Sequence, residues 1–169
     1  INNRMIYLDS AIVSSDNYFK YSQTADLKPI QLINELTKFK LKFEYMSFNT
    51  NTIQTLESTG DIKLIPENIR NSLIELKREQ DRISQSAGGN YDIYLNAQQK
   101  AFHLGFFRLK YQTPTVKELQ IGNKLDDIVL ILEGGFGLKN YTDKFVKRSL
   151  TEKLTNITKI KETISSELK

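Results

Sequence analysis

The sequence predicts an all-α protein, an elongated bundle of about five to seven helices. Apolar residues recur at steps of three and four along nearly the whole 169-residue chain, the spacing that keeps side chains on one helical face. Proline and glycine fall between those stretches, where helices start and stop. No strand rivals this pattern. The run Ile128 to Leu132 passes alone as a buried strand, but its flanks continue the helical spacing.

The first stripe is Ile1, Met5, Leu8, Ile12, Ser15 and Phe19, with Ser15 its one polar member, and Ser22 to Asp26 supplies the polar break. Pro29 reads as the first turn of a second helix, where its missing N–H costs nothing, and Leu32, Leu36, Phe39, Phe43 and Met46 follow. These two helices are expected to form an antiparallel pair. A compact unit spans Ser47 to Pro66. In it Asn51 and Gln54 form a capping arrangement, Ile53 and Leu56 face inward, and Gly60 closes the short helix in the left-handed conformation.

Asp61 to Leu64 is too short to judge by period, and at most a token pair of strands is expected near Ile62. Pro66 opens a helix through Ile69, Leu73, Leu76 and Ile83, which Gly88-Gly89 is expected to break. A fifth stripe runs Tyr91, Leu95, Gln98, Phe102, Gly105 and Leu109, and Thr113-Pro114 ends it, because a residue before proline avoids helical geometry. The sixth is Ile121, Leu125, Ile128 and Leu132. Beyond Gly134-Gly135-Phe136-Gly137, expected to be a helix stop and interhelical turn, Asn140 to Lys169 carries Phe145, Leu150, Leu154, Ile157, Ile160, Ile164 and Leu168. This last helix is expected to lie antiparallel to the first, bringing Leu168 near Ile1. The length suits one domain, residues 1–169, with a sub-boundary near 112–115.

Composition excludes much. There is no cysteine, which removes disulfides, thiol nucleophiles and Cys-ligated metal sites, and the single His103 removes His-rich ones. The longest apolar run is five residues, Ile128 to Leu132, whereas a membrane-spanning helix needs roughly 20. The net charge is +4, and the surplus sits in Lys139 to Lys169, where eight basic residues (Lys139, Lys144, Lys147, Arg148, Lys153, Lys159, Lys161, Lys169) meet four acids. Such a segment could meet phosphates or anionic lipid, but the mixing of signs reads as a solvated helix face.

With this segmentation, the stretch Asn49 to Leu76 carries a short helix, then Ser58 and Gly60, then Leu64-Ile65, then a helix starting near Ile69-Arg70. It resembles a family of uncharacterised bacterial single-pass membrane-anchored proteins, defined by a domain of unknown function. Ile1-Asn2-Asn3 resembles the residues that follow that family's N-terminal membrane helix. The match departs after Lys110. The resemblance implies an anchor preceding Ile1, at the bacterial inner membrane, and a domain facing the periplasm. It supplies no catalytic residue.

The strongest candidate site is the aromatic group Phe102, Phe106, Phe107 and Tyr111, which with His103 and Arg108 on the same helix could line an apolar ligand pocket with a few polar handles. Its competing reading is core packing, Phe102 and Phe106 sharing one face. Gly134 to Gly137 lacks the Gly-Lys-Ser/Thr ending of a phosphate loop. Asp126-Asp127 and Glu75-Glu79 read as surface charge, not as an acid–base pair. Tyr18, Phe19 and Tyr21 beside Lys20 have the composition of a base-stacking platform without a recognised motif. A helix-turn-helix over Thr115 to Leu132 fails because its second helix is apolar. No cofactor and no metal are expected. The expected function is a non-enzymatic sensor or protein-interaction module with an unknown protein partner or small ligand, the alternatives being a nucleic-acid-binding helical protein or an enzyme.

Overall fold

The computed structural model describes residues 2–24, 26–39, 46–111 and 121–167. It is 88% helical with no strand among the described residues, so the all-α reading holds. Six α-helices follow in order: α1 (Asn2–Ser22), α2 (Pro29–Thr37), α3 (Asn51–Thr59), α4 (Glu67–His103), α5 (Phe106–Lys110) and α6 (Leu125–Glu167). Among the described residues two 3-10 turns, Asp61–Leu64 and Ile121–Lys124, precede α4 and α6. None of the described helices is long and apolar enough to cross a membrane.

Several boundaries fall where side-chain chemistry puts them. Pro29 opens α2, and the Lys28 N–H donates to Gln31 Oε1 at 2.8 Å, satisfying one of the donors a helix start leaves free. Gly60 ends α3 with φ 81°, in the left-handed region that suits a residue without Cβ. The capping expected from Asn51 is made instead by Asn49, whose Oδ1 accepts the Asn51 N–H at 3.2 Å, and Ile62 sits in a 3-10 turn and not in a strand.

Two expected breaks are corrected, and one break that was not expected is found. Gly88-Gly89 lies inside α4, and Gly134-Gly135-Phe136-Gly137 lies inside α6, both in unbroken helix. Interior glycine costs roughly 1 kcal/mol against alanine, and burial of the apolar stripe on either side outweighs it. At Gly135 the reason is positive: an added Cβ would stand 2.5 Å from Ala97 Cβ, so the glycine lets α6 lie close against α4. The stripe Tyr91 to Leu109 is not one helix either, because Gly105, at φ 107°, separates α4 from α5. Met46 lies beyond α2, which ends at Thr37, and Phe43 and the expected boundary at 112–115 lie outside the described residues.

The long helices α4 and α6 form an antiparallel pair. Glu79 meets Lys153 at 3.5 Å, Asn90 Nδ2 donates to the Lys139 carbonyl at 3.3 Å, and the rings of Tyr94 and Phe136 lie 5.1 Å apart. Helix α1 also runs antiparallel to α6, as expected: Asp9 pairs with Lys147, Asp16 with Lys144 at 2.7 Å, and the Tyr18 hydroxyl donates to Glu133 at 2.7 Å. Ile1 and Leu168, expected to meet, lie outside the described residues. At 1.5 Å per residue, Asn2 stands level with about residue 154 of α6, so the last 10 or so residues of α6 run past α1. They face α4 instead, with Ile160 beside Asn71, Ser72, Glu75 and Leu76.

Two apolar clusters build the core. One joins Tyr18, Ile33, Leu36, Tyr94, Ala101, Phe106, Ile121, Ile128, Val129, Leu132 and Phe136. The other is smaller, with Leu8, Ile83, Val146 and Leu150 at its centre.

Candidate functional site

The predicted aromatic group is assembled at the end of the bundle where α4 passes through Leu104-Gly105 into α5. Phe106 is buried and anchors it in the larger core cluster. Phe102 stacks on Phe106 at 5.8 Å and meets Phe107 edge-on at 5.9 Å, and Phe107 lies 4.6 Å from Tyr111. The left-handed turn at Gly105 falls between Phe102 and the pair Phe106-Phe107. The rings form a row. Phe102 is exposed, Phe107 is 51% exposed and Tyr111 59%. His103 is exposed and Arg108 half-buried. Core packing is thus correct for Phe106 alone.

A second site was not foreseen. Between the two apolar clusters lies a buried polar layer made by Ser15 of α1, Asn90 of α4, and Lys139, Asn140 and Asp143 of α6. Lys139 is 7% exposed and Asp143 6%, and they pair with each other one helical turn apart. The ammonium of Lys139 also lies 5.8 Å from the ring centre of Tyr7. Asn140 donates to Asp16 Oδ1 at 2.8 Å, the oxygen that also receives Lys144. These two bonds hold the Asp16 carboxyl below its ordinary pKa, the lysine contact being the larger cause. Burial pushes the hydroxyls of Tyr18 and Tyr94 well above the usual tyrosine range, with the Glu133 hydrogen bond adding to it at Tyr18.

This layer corrects the reading of the last segment as a solvated face throughout. Lys139 and Asp143 stand on the side of α6 that faces α1 and α4, and the signal available in the sequence was their spacing of four, which pairs them on one side of the helix. Among the described residues Asn140 Oδ1 is buried without a hydrogen-bond partner. The Lys139 ammonium and the Asp143 carboxylate form an ion pair within one helix.

The remaining candidates disperse. Tyr18 is buried, and with Phe19 it packs on the core, so no stacking platform forms there. Asp126 and Asp127 are exposed, and Glu79 is bonded to Arg82 at 3.0 Å. Ile128, Val129 and Leu132 are buried, as an apolar second helix requires. Among the described residues no group of three or more His, Cys, Asp or Glu is placed to hold a metal ion. Comparison with protein-family models, with curated proteins and with solved structures gives no match.

Proposed function

We propose that this chain is a non-enzymatic helical interaction module which takes hold of a protein partner through the ring row Phe102, Phe107 and Tyr111. The carrying observation is that three aromatic side chains stand exposed side by side on a buried anchor, Phe106. Aromatic residues dominate the energetics of protein interfaces, and a contiguous exposed group of them marks an interaction surface. An open row suits a protein side chain or helix better than an enclosed small ligand.

The resemblance read at Ser58 to Arg70 supports placing this module outside the inner membrane on an N-terminal anchor. The start of α1 stands near the level of Glu79, and Phe102 lies 23 residues further along α4, about 35 Å away. An anchored module would hold its rings out from the membrane.

A photo-cross-linking amino acid at position 107, in cells expressing the full-length protein, tests this reading. A discrete adduct with another polypeptide, lost when Phe102→Ser is added, is the expected result. Absence of any adduct at positions 107 and 111 would contradict it.

A further inference from the structure

Helix α6 meets α1 and α2 on one side and α4 on another, and the face left between them carries exposed apolar side chains among polar ones. Leu130 is 68% exposed there and Tyr141 75%, with Leu138 and, across from it on α4, Ile93 also exposed. Together with Gly89, Asn90 and Phe145, the last three line a groove of about 440 Å³. Two glycines on this surface have no purpose within the chain. A Cβ added at Gly89 or Gly134 would meet nothing within 4 Å, and neither has a positive φ. Each carries the helix-interior cost of glycine without an internal return.

The order of residues along the face is self-complementary. Asp127, Leu130, Gly134, Leu138, Tyr141, Phe145 and Arg148 follow at steps of three and four. A two-fold axis through the midpoint of Gly137 and Leu138 sets Tyr141 opposite Gly134, Phe145 opposite Leu130, and Arg148 opposite Asp127. Large meets small, apolar meets apolar, and opposite charges meet at the ends. Asp127 is exposed, and Arg148 is exposed with, among the described residues, a single ion-pair contact to Glu152 at 3.9 Å.

We propose that two copies of this chain pair antiparallel along α6, each Tyr141 ring lying over the other copy's Gly134. A two-fold interface uses the same patch twice, so each complementary pair occurs twice and every error in it is doubled. This surface is separate from the ring row at Phe102, and the two proposals stand or fall independently.

The chain has no cysteine, so a single introduced thiol reports the geometry. Leu138→Cys lies beside the axis and is expected to oxidise to a covalent dimer, while Ile30→Cys on α2 is expected to remain monomeric. Sedimentation of the unmodified chain over about 1–100 µM should show a reversible dimer. Asp127→Arg and Arg148→Asp should each weaken it roughly threefold to tenfold, and the double exchange should restore it. All these positions are exposed, and circular dichroism establishes that each variant is folded. A monomer throughout the concentration range would overturn the proposal. So would a dimer in which Leu138→Cys fails to cross-link, or one in which the double charge exchange fails to recover what the single changes lose.

Discussion

Glycines that look alike in the sequence do different work in the structure. Gly135 stands against Ala97, where a Cβ would intrude at 2.5 Å, whereas Gly88 has open space. Gly135→Ala should therefore destabilise the chain by about 1–3 kcal/mol through overpacking, even after its gain in helix propensity. Gly88→Ala should stabilise it by up to about 1 kcal/mol. Denaturant unfolding of the two variants checks both signs. The buried pair Lys139–Asp143 makes a second prediction at this scale. Removing one partner leaves an uncompensated buried charge, so Asp143→Leu should cost about 3–5 kcal/mol, while Lys139→Met with Asp143→Leu should recover most of it. A double-mutant cycle measures the coupling, and equal losses for single and double changes would refute the pairing. Only the spacing of four between Lys139 and Asp143 was legible beforehand, because a sequence does not say which face of a helix a second helix covers.

At the scale of elements, helix existence was legible and helix ends were less so. Pro29, Pro66 and Gly60 marked real boundaries, since each acts through its own backbone. The pairs Gly88-Gly89 and Gly134-Gly135 did not, because glycine only weakens a helix and the packing of α4 on α6 decides. Ion pairs add the joints between helices. Asp16 links α1 to Lys144, and Glu79 lies between Arg82 of its own helix and Lys153 of α6. Both carboxyls are held below their ordinary values of 3.8 and 4.5, Asp16 chiefly by its Lys144 bond and Glu79 chiefly by its Arg82 bond. A lowered folded pKa contributes stability that is full above the ordinary value and lost as pH falls through the folded one. The melting temperature should thus fall below about pH 4.5, and Asp16→Asn should make that fall shallower. The far end of α6 is a different case. Leu154, Ile157, Ile160 and Ile164 are only half-buried, against full burial of Val146 and Leu150. Amide exchange should be slow at 128–150 and fast beyond Ile160, and removing Ile160 to Lys169 should lower stability modestly.

The whole molecule is organised by its two long helices. Because α4 and α6 run unbroken, each crosses both apolar clusters and the polar layer between them, and α1 closes the layer with Ser15 and Asp16. The same continuity carries the ring row to one end and presents the Leu130 to Arg148 face along one side. The aromatic group was partly legible: its residues were identified, but the left-handed turn at Gly105 that separates Phe102 from Phe106 and Phe107 depends on a backbone conformation that spacing alone does not reveal. The most direct measurement is a distance along α6. Spin labels on Asp126→Cys and Glu152→Cys, in a chain otherwise free of cysteine and diluted with unlabelled protein, span 26 residues. A continuous helix sets them about 39 Å apart at 1.5 Å per residue. A turn at Gly134 to Gly137 would fold the two arms together and bring the labels within about 20 Å, the interaxial distance of packed helices adding little. A single narrow distribution near the longer distance is the predicted result, and one near the shorter would contradict the account.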